Sequence, residues 1–305
     1  MIKKLSTILL LLPIFIFAQY ERPGSSSAQF LKIAVSPRAA GMGDSYISIS
    51  EGAEATHYNT AALALIKNTD LAFSHTKWFA GINHEFASAA HTFSFGTLAL
   101  SYTSLYTDEM KVRTPLQSDG TGETFYAGSY RIGFSYARFL TDKVTFGTTV
   151  NYINVFLYSG FTANAVAVDI ATLYTTELRN FRFGIKISNF GSEIKFVNES
   201  YPLPTNFTFG LSMNAVEMDK YKLLLSMTAI KPNDVRPIGL IGTELNYQDL
   251  FFLRTGYRFN HEVAKYSCGA GLKMNINRYQ LHFDYSYSDS VLLGGTHCLG
   301  IRYSL

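Results

Sequence analysis

Apolar and polar residues alternate along the chain, and the alternation is clearest in its final segment. There, four apolar residues share one parity: Leu299, Ile301, Tyr303 and Leu305. Smaller or polar residues lie between them: Cys298, Gly300, Arg302 and Ser304. A period of two places successive side chains on opposite faces of a β-strand. The pattern therefore predicts strands with one apolar face and one polar face.

Residues 70–305 contain about fourteen such segments separated by turn residues, and their connections alternate in length. Every second connection is tight: Phe95-Gly96, 140–142, Met218-Asp219, Gln248-Asp249 and Asn277-Arg278. The others are longer: 108–123, 190–204, 231–236 and 289–295. Short turns at one end and longer loops at the other are typical of bacterial outer-membrane barrels. The sequence thus predicts an all-β fold, a transmembrane antiparallel β-barrel whose first and last strands both end on the periplasmic side.

A β-sandwich with a wet outer face would show the same alternation, but other features favour the barrel. Gly and Ser interrupt the charged parity set, and the last strand, 296–305, is amphipathic and aromatic. Edge strands in soluble sheets are usually blunted by charge or proline. Aromatic residues make up 15% of the chain and charged residues 16%. Soluble domains carry about 25% charged residues, so the composition also favours a membrane barrel.

Residues 1–69 do not alternate and divide into two parts. Residues 1–18 have the pattern of a cleaved signal peptide: Lys3 and Lys4, an apolar run over 9–17, and Ala18 before Gln19. The run is shorter than the roughly 20 residues of a spanning helix. Residues 19–69 are rich in small residues and include a predicted helical piece at 51–55. We expect this second part to form a hatch or plug inside the barrel; a periplasmic extension is the alternative.

Charge and cysteine content exclude some partners. The net charge is +3, from 26 basic and 23 acidic residues, which does not favour a nucleic-acid partner. Cys268 and Cys298 lie on predicted strands separated by a third strand, at about 10 Å. A disulfide needs Cα atoms within about 7 Å, and the two side chains have opposite parity. We therefore expect both cysteines to remain free.

Several short motifs of residues 19–69 resemble the opening of the PorV/PorQ (UPF0164) family. They are 27–33 (SAQFLKI), 38–44 (RAAGMGD) and 59–63 (NTAAL), and further similar pieces follow in order at 74–79, 120–125 and 187–191. The matching hatch residues are Phe30, Leu31, Arg38, Ala39, Gly41, Met42, Gly43 and Asn59. One departure is that Thr60 and Ala62 stand where the family usually has proline and glycine.

The resemblance implies a FadL-like barrel of about fourteen strands with an N-terminal hatch in the outer membrane. It also implies an association with type IX secretion, in which members bind the translocon and carry cargo to the cell surface. The family contains paralogues without an assigned role, so the resemblance places the chain in the broad family only.

The predicted lumen-facing parity set is predominantly basic. Its members are Arg131, Arg182, Lys186, Lys222, Arg254, Arg258, Lys265, Lys273 and Arg302. Asp169, Glu244 and Asp284 share this face. We interpret the set mainly as charge pairing among the wall, the plug and water. The alternative is that a basic interior attracts an anionic head group such as a carboxylate, to which Arg38 of the hatch would contribute.

No pattern of catalytic, cofactor-binding or metal-binding residues is found. The seven histidines have no metal-ligand spacing. His282, Asp284 and Ser286 share one face, but steps of two residues along a strand are about 7 Å apart, too far for a catalytic triad. Trp78 and Phe79 at the first hairpin tip fit an aromatic girdle at the membrane interface, although a partner contact would also suit them.

The sequence therefore predicts a non-enzymatic barrel embedded in outer-membrane lipid. The main interpretation is a protein-binding component associated with type IX secretion or with surface attachment of cargo. In that case the long connections 108–123 and 190–204 would contact translocon or cargo proteins. The alternative is a FadL-like channel for hydrophobic or amphipathic small molecules, which needs an opening past the hatch.

Overall fold

The computed structural model describes residues 22–158, 160–261, 263–290 and 293–305. Its strands are β1 (Thr69–Lys77), β2 (Ile82–Phe93), β3 (Gly96–Thr107), β4 (Met110–Lys111), β5 (Thr124–Phe125), β6 (Gly128–Phe139), β7 (Val144–Phe156), β8 (Thr162–Thr175), β9 (Arg182–Gly191), β10 (Ile194–Phe196), β11 (Glu199–Tyr201), β12 (Asn206–Glu217), β13 (Tyr221–Pro232), β14 (Ile238–Tyr247), β15 (Phe251–Phe259), β16 (Tyr266–Ile276), β17 (Tyr279–Ser288) and β18 (Thr296–Ser304). Within the described ranges, all strands except the short pairs β4–β5 and β10–β11 form one closed antiparallel barrel of fourteen strands. The predicted barrel and its strand number are confirmed.

The barrel closes by pairing its first strand with its last. Strands β1 and β18 run antiparallel from Asp70 opposite Ser304 to Lys77 opposite His297. The amide of Leu305 donates to the carbonyl of Thr69, so both ends of the wall lie at the same end of the barrel.

The two ends of the barrel differ in their connections. The turn end carries the tight connections, such as Asn277-Arg278 between β16 and β17, where the positive φ of Asn277 suits a two-residue turn. The opposite end, the loop end, carries the longest connections, 108–127 and 192–205. The predicted asymmetry is confirmed, with two differences of detail: the connection 176–181 at the turn end has six residues, and 120–125 leads into the pair β4–β5 and not directly into a wall strand.

The two faces of the wall differ in chemistry. Large apolar side chains point outward and are exposed, for example Phe73 (52%), Leu299 (58%) and Ile301 (48%). Inward positions hold small or polar residues, such as the buried Ala72 and Ser74. The strands therefore present an apolar outer surface and a polar, closely filled interior. No helix in the described part of the chain is long and apolar enough to cross a membrane.

The segment before β1 forms four short helical pieces: Gln29–Lys32, Pro37–Gly41, Ala55–Tyr58 and Thr60–Leu65. The helix predicted at 51–55 was wrong in its position, because the helix begins at Ala55 and is preceded by a turn. Residues 1–18, the predicted signal peptide, lie outside the described residues.

This segment packs against inward-facing positions of strands on several sides of the barrel. A side-chain carbon on Gly41 would lie 3.1 Å from Gly269 of β16, and one on Gly147 of β7 would lie 2.5 Å from the backbone of Thr60 and Ala61. Such close backbone approach requires glycine. Buried alanines of the wall meet those of the last helical piece: Ala72, Ala90, Ala99, Ala137 and Ala171. Small residues on both surfaces thus allow the segment to fit against the wall.

Candidate functional site

A network of ion pairs joins the N-terminal segment to the wall; most of its side chains are buried, and Glu51 is partly exposed. Arg38 donates to Glu244 of β14 through Nε and Nη2, both at 2.8 Å, and to Glu51 at 2.5 Å. Arg302 of β18 donates to Glu51 at 2.9 Å and to Asp70 at 3.0 Å. Burial disfavours the charged Glu51, but Arg38 and Arg302 outweigh it and hold the pKa of Glu51 well below its usual value. Removing one partner of such an ion pair is costly because the other charge is left without a partner. The network therefore fixes the segment to the wall.

Most of the predicted basic face takes part in such pairs. Arg254 donates to Glu244 at 2.6 Å and to Asp284. Arg258 pairs with Asp44 of the N-terminal segment at 2.7 Å, and Lys186 lies 3.1 Å from Asp169. These contacts agree with charge pairing between wall and segment. They also neutralise part of the positive charge that the sequence predicts for the lumen-facing side of the wall.

The remaining members of the predicted basic face are spread along the barrel. Lys222 is half exposed near the turn end and pairs with Asp249 at 3.5 Å. Lys265 is exposed and lies in the connection before β16. Arg182 and Lys273 are partly buried. The structure thus does not gather the nine basic residues into one site.

A cavity of about 420 Å³ lies between the N-terminal segment and the loop end of the barrel. Its apolar lining comes from wall, loops and segment: Leu31, Ile33, Trp78, Phe79, Ile230, Ile238, Leu240, Val263 and Leu293. Trp78 and Phe79 therefore lie at the cavity mouth, a position that the girdle prediction did not include. Arg131 and Lys186 supply cationic groups to the lining, beside His57.

The cationic part of the cavity centres on Arg131. Its Nη2 donates to His57 Nδ1 at 2.9 Å and to Thr103 Oγ1 at 3.2 Å. Burial, and then the charges of Arg131 and Lys186, hold the pKa of His57 well below its usual value. The imidazole is therefore neutral and accepts the guanidinium hydrogen. Arg131 interacts electrostatically with Asp169 but forms no ion pair with any described carboxylate, and its buried Nε has no hydrogen-bond partner among the described residues.

The wall beside this cavity is irregular. The register of β8 and β9 shifts between Val168 and Ile170, and Asn189 has a φ of 59°. The carboxylate of Asp169 accepts the amide hydrogen of Asn189 at 2.8 Å. A side chain thus replaces a strand-to-strand backbone bond at this point, as expected at a β-bulge.

Pairing between β9 and β12 ends at the same level. The last pair is Ser188 with Asn206. Beyond it, Asn189 Nδ2 donates to the Pro204 carbonyl, and Thr205 Oγ1 donates to the Asn189 carbonyl, both at 3.1 Å. Ser188, Asn189 and Asn206 also line the cavity. The cavity therefore lies against the part of the wall that is held by side chains.

The long connection 192–205 turns two apolar side chains inward. Ile194 and Leu203 are buried in an apolar cluster with Phe30 and Leu31 of the N-terminal segment. Most of its other residues are exposed, so the predicted contact surface at 190–204 stays a prediction. The other long connection does project: Leu116 at its tip is 96% exposed.

No group of three or more His, Cys, Asp or Glu side chains could hold a metal ion in the described ranges. Cys268 and Cys298 are free, and one is exposed while the other is buried, as predicted from their opposite parity. Asp284 pairs with Arg254 and does not join His282 and Ser286 in a triad.

Several important residues were missed by sequence reasoning. Asp234, Glu51 and Asp70 carry buried contacts, but each partner lies far away in sequence. The role of His57 was not predicted either. The one available signal was that Asp70 occupies the inward parity of a strand, where an isolated carboxylate requires a cationic partner.

Comparisons with known proteins identify the fold. No protein-family model matches the chain. No curated protein sequence matches it. Solved structures do match: the Pseudomonas putida toluene transporter TodX, with a TM-score of 0.62 and 12% identity, covering 89% of this chain and 98% of that chain.

Two further structures are similar. The Ralstonia pickettii toluene transporter TbuX has a TM-score of 0.56 at 13% identity, covering 88% of this chain and 97% of that chain. A Pseudomonas aeruginosa FadL homologue has a TM-score of 0.52 at 11% identity, with coverages of 88% and 97%. At these identities the likeness establishes a shared fold: the chain has the barrel architecture of FadL-type outer-membrane transporters.

Proposed function

We propose that this protein is an outer-membrane channel that admits hydrophobic or amphipathic small molecules. The observation that carries the proposal is the cavity at the loop end, which combines an apolar mouth with a cationic group and abuts an irregular part of the wall. The apolar outer surface suits a lipid bilayer. The similar solved structures are described as toluene transporters and a FadL homologue, which supports the same function.

The chemistry of the cavity favours a ligand with an apolar body and an anionic head. Leucine, isoleucine and aromatic side chains at the mouth would remove apolar surface of a ligand from water. Arg131 has an unused buried donor, and no described carboxylate lies within ion-pair distance of it. A carboxylate placed beside Arg131 and Lys186 would therefore form charge-assisted hydrogen bonds.

The wall near Asn189 provides a route out of the cavity. Elsewhere, backbone bonds join neighbouring strands, and opening the wall would break several of them at once. Between β9 and β12, the contacts beyond Ser188 and Asn206 are side-chain bonds of Asn189 and Thr205. These bonds can be exchanged without unpairing a whole strand. We therefore place the opening that a channel requires at this point of the wall.

The chain's single tryptophan allows a direct test of binding. Trp78 is the only tryptophan in the sequence and lines the cavity mouth. Dodecanoate and dodecanol share an apolar chain but differ in head-group charge. Titrating the detergent-solubilised protein with each should change Trp78 fluorescence, with dodecanoate binding about tenfold more tightly because of the charge-assisted contact.

A variant makes this test specific. Arg131→Gln should reduce dodecanoate affinity to that of dodecanol and leave dodecanol binding unchanged. Lys143→Gln, at an exposed position in the turn 140–143, is the matched control and should change neither. Absence of any fluorescence response to both probes would contradict the proposal.

A second candidate function is a protein-binding role in type IX secretion. The observations that favour it are the motifs at 27–33, 38–44 and 59–63 and the projecting connection with its exposed Leu116. Photo-crosslinking from position 116 in native membranes, followed by identification of the attached protein, tests it. Recovery of secretion components would support this role, and crosslinks to lipid alone would oppose it.

The expected processing and domain division belong to the same proposal. Residues 1–18 would be removed on export, 19–69 would act as the hatch, and 70–305 would form the membrane barrel. Mass spectrometry of the protein purified from outer membranes would show a first residue of Gln19. An intact Met1 would contradict the expected cleavage.

A further inference from the structure

The first described residues lie at the opposite end of the barrel from β1, to which they lead. The amide of Arg22 donates to the Asp234 carbonyl at 3.1 Å, and the amide of Ser27 donates to the Pro202 carbonyl at 3.0 Å. Both acceptors lie in connections at the loop end. Strand β1 begins at Thr69 at the turn end. Residues 22–68 therefore run the whole length of the barrel interior.

The carboxylate of Asp234 holds this beginning of the chain in place. It accepts hydrogen bonds from Ser26 Oγ at 2.5 Å, Gln29 Nε2 at 3.0 Å and Lys32 Nζ at 2.6 Å. The Asp234 side chain is only 2% exposed. Burial would raise its pKa, but bonds from Lys32, Ser26 and Gln29 outweigh burial and lower it. Asp234 is therefore ionised at neutral pH and gathers three side chains of one short segment.

The same segment closes part of the mouth beneath Asp234. Phe30 and Leu31 are 4% and 5% exposed. They pack against Ile194 of β10 and against inward residues of β7 and β8, among them Ile153. Leu31 and Lys32 also line the cavity described above. Displacing the segment would thus open an apolar surface that is continuous with the cavity.

We propose that residues 22–32 form a strap across the extracellular mouth, fastened by Asp234, and that Arg22 is presented at the cell surface. The orientation of the barrel in this inference rests on the proposed function. The strap is reached from outside the cell and controls how much of the mouth is open.

Epitope insertion on intact cells tests where the strap lies. One tag is placed between Glu21 and Arg22, one after Leu116 in the projecting connection, and one after Asp249 in a tight turn. We expect antibody to label the first two on intact cells and the third only after the outer membrane is opened.

The tags also separate this inference from the proposed function. Labelling at Leu116 without labelling at Arg22 would overturn the strap while leaving the orientation intact. Labelling at Asp249 in place of Leu116 would overturn the orientation, and the strap with it.

Protease cleavage tests the fastening. Trypsin cuts after Arg22 and Lys32, which lie in the strap. Asp234→Ala should increase the rate of cleavage at these sites on intact cells by about tenfold, because the hydrogen bonds of three side chains to one carboxylate are lost. Asp119→Ala removes an exposed carboxylate of the projecting connection and is the matched control, with no expected change.

A second, milder variant keeps the test informative if Asp234→Ala fails to fold. Gln29→Ala removes one bond to Asp234 and keeps the Lys32 ion pair, and it should give an intermediate cleavage rate. Heat-modifiable gel mobility shows that each barrel is folded. Cleavage rates that stay at the wild-type level in folded Asp234→Ala protein would overturn the strap.

Discussion

Replacing Glu54 by glutamine should remove a pH-dependent loss of stability. Glu54 is buried in the N-terminal segment, where its Oε2 accepts from Ser36 Oγ at 2.6 Å and lies 3.5 Å from the Tyr46 hydroxyl. Burial raises the pKa of Glu54 to about 7, opposed by the Ser36 bond and by Arg302 and Arg38 and reinforced by Asp284. The carboxyl group is thus protonated in the folded protein at pH values where it is ionised in the unfolded chain.

The sign and size of the pH effect follow from the difference between the pKa values of Glu54 in the folded and unfolded protein. Between the unfolded pKa of 4.5 and the folded value of about 7, the folded state binds more protons, so stability falls as pH rises. A shift of one pKa unit corresponds to about 1.4 kcal/mol, so the full cost above pH 7 is about 3 kcal/mol. About 2 kcal/mol of this cost arises between roughly pH 5.5 and roughly pH 8.5.

Urea unfolding of the protein in lipid vesicles at these two pH values measures the effect. Wild-type protein should lose stability toward high pH, and Glu54→Gln should lose about 2 kcal/mol less. Glu51→Gln is the matched control: because the pKa of Glu51 is lowered, its carboxyl group is ionised in both states between these two pH values, so this variant should keep the pH dependence of the wild-type protein. An unchanged pH dependence in Glu54→Gln would refute the reasoning.

Two further substitutions test the packing of the segment and the irregular wall. Gly256→Ala would place a carbon against the backbone of Gly43 and should lower the free energy of unfolding by about 2 kcal/mol. In the control Gly239→Ala, the nearest neighbour of the added carbon lies at 3.6 Å, and the free energy of unfolding should change by less than about 0.5 kcal/mol. Equal effects of the two substitutions in urea unfolding would contradict the close fit. Asp169→Ala leaves the Asn189 amide without its acceptor and should cost about 3 kcal/mol and speed hydrogen exchange at Asn189, whereas unchanged exchange would show that the bond does not hold the bulge.

The barrel itself could be predicted because it follows from a local pattern. Each strand has to place apolar residues outward and small or polar ones inward, and this period of two is visible in segments such as 296–305. Turn lengths add the end-to-end asymmetry. Both signals depend only on neighbouring residues, so a single sequence is sufficient.

The interior could be predicted only in part. The small residues of 38–44 indicate close packing, but the sequence does not tell which glycine meets which: Gly41 meets Gly269 and Gly43 meets Gly256. Pairings over such separations depend on the diameter and tilt of the closed barrel. The contact of Lys32 with Asp234 could not be predicted from the sequence for the same reason.

The two long connections illustrate a similar limit. Both contain polar residues and glycine or proline, and both were predicted as surface loops. One buries Ile194 and Leu203 against Phe30 and Leu31, while most of its other residues are exposed. The other exposes Leu116. Loop direction is decided by apolar partners that come from distant parts of the chain.

The central claim is that hydrophobic or amphipathic small molecules pass through this barrel. Their rate of uptake into vesicles measures this claim most directly. Proteoliposomes containing the protein should take up radiolabelled dodecanoate faster than protein-free vesicles. Ile238→Trp, which fills the cavity mouth, should reduce this uptake by about tenfold because of steric blockage, and Ile276→Trp on the exposed outer face should leave it unchanged. Uptake equal to that of protein-free vesicles, or equal in wild type and Ile238→Trp, would contradict the account.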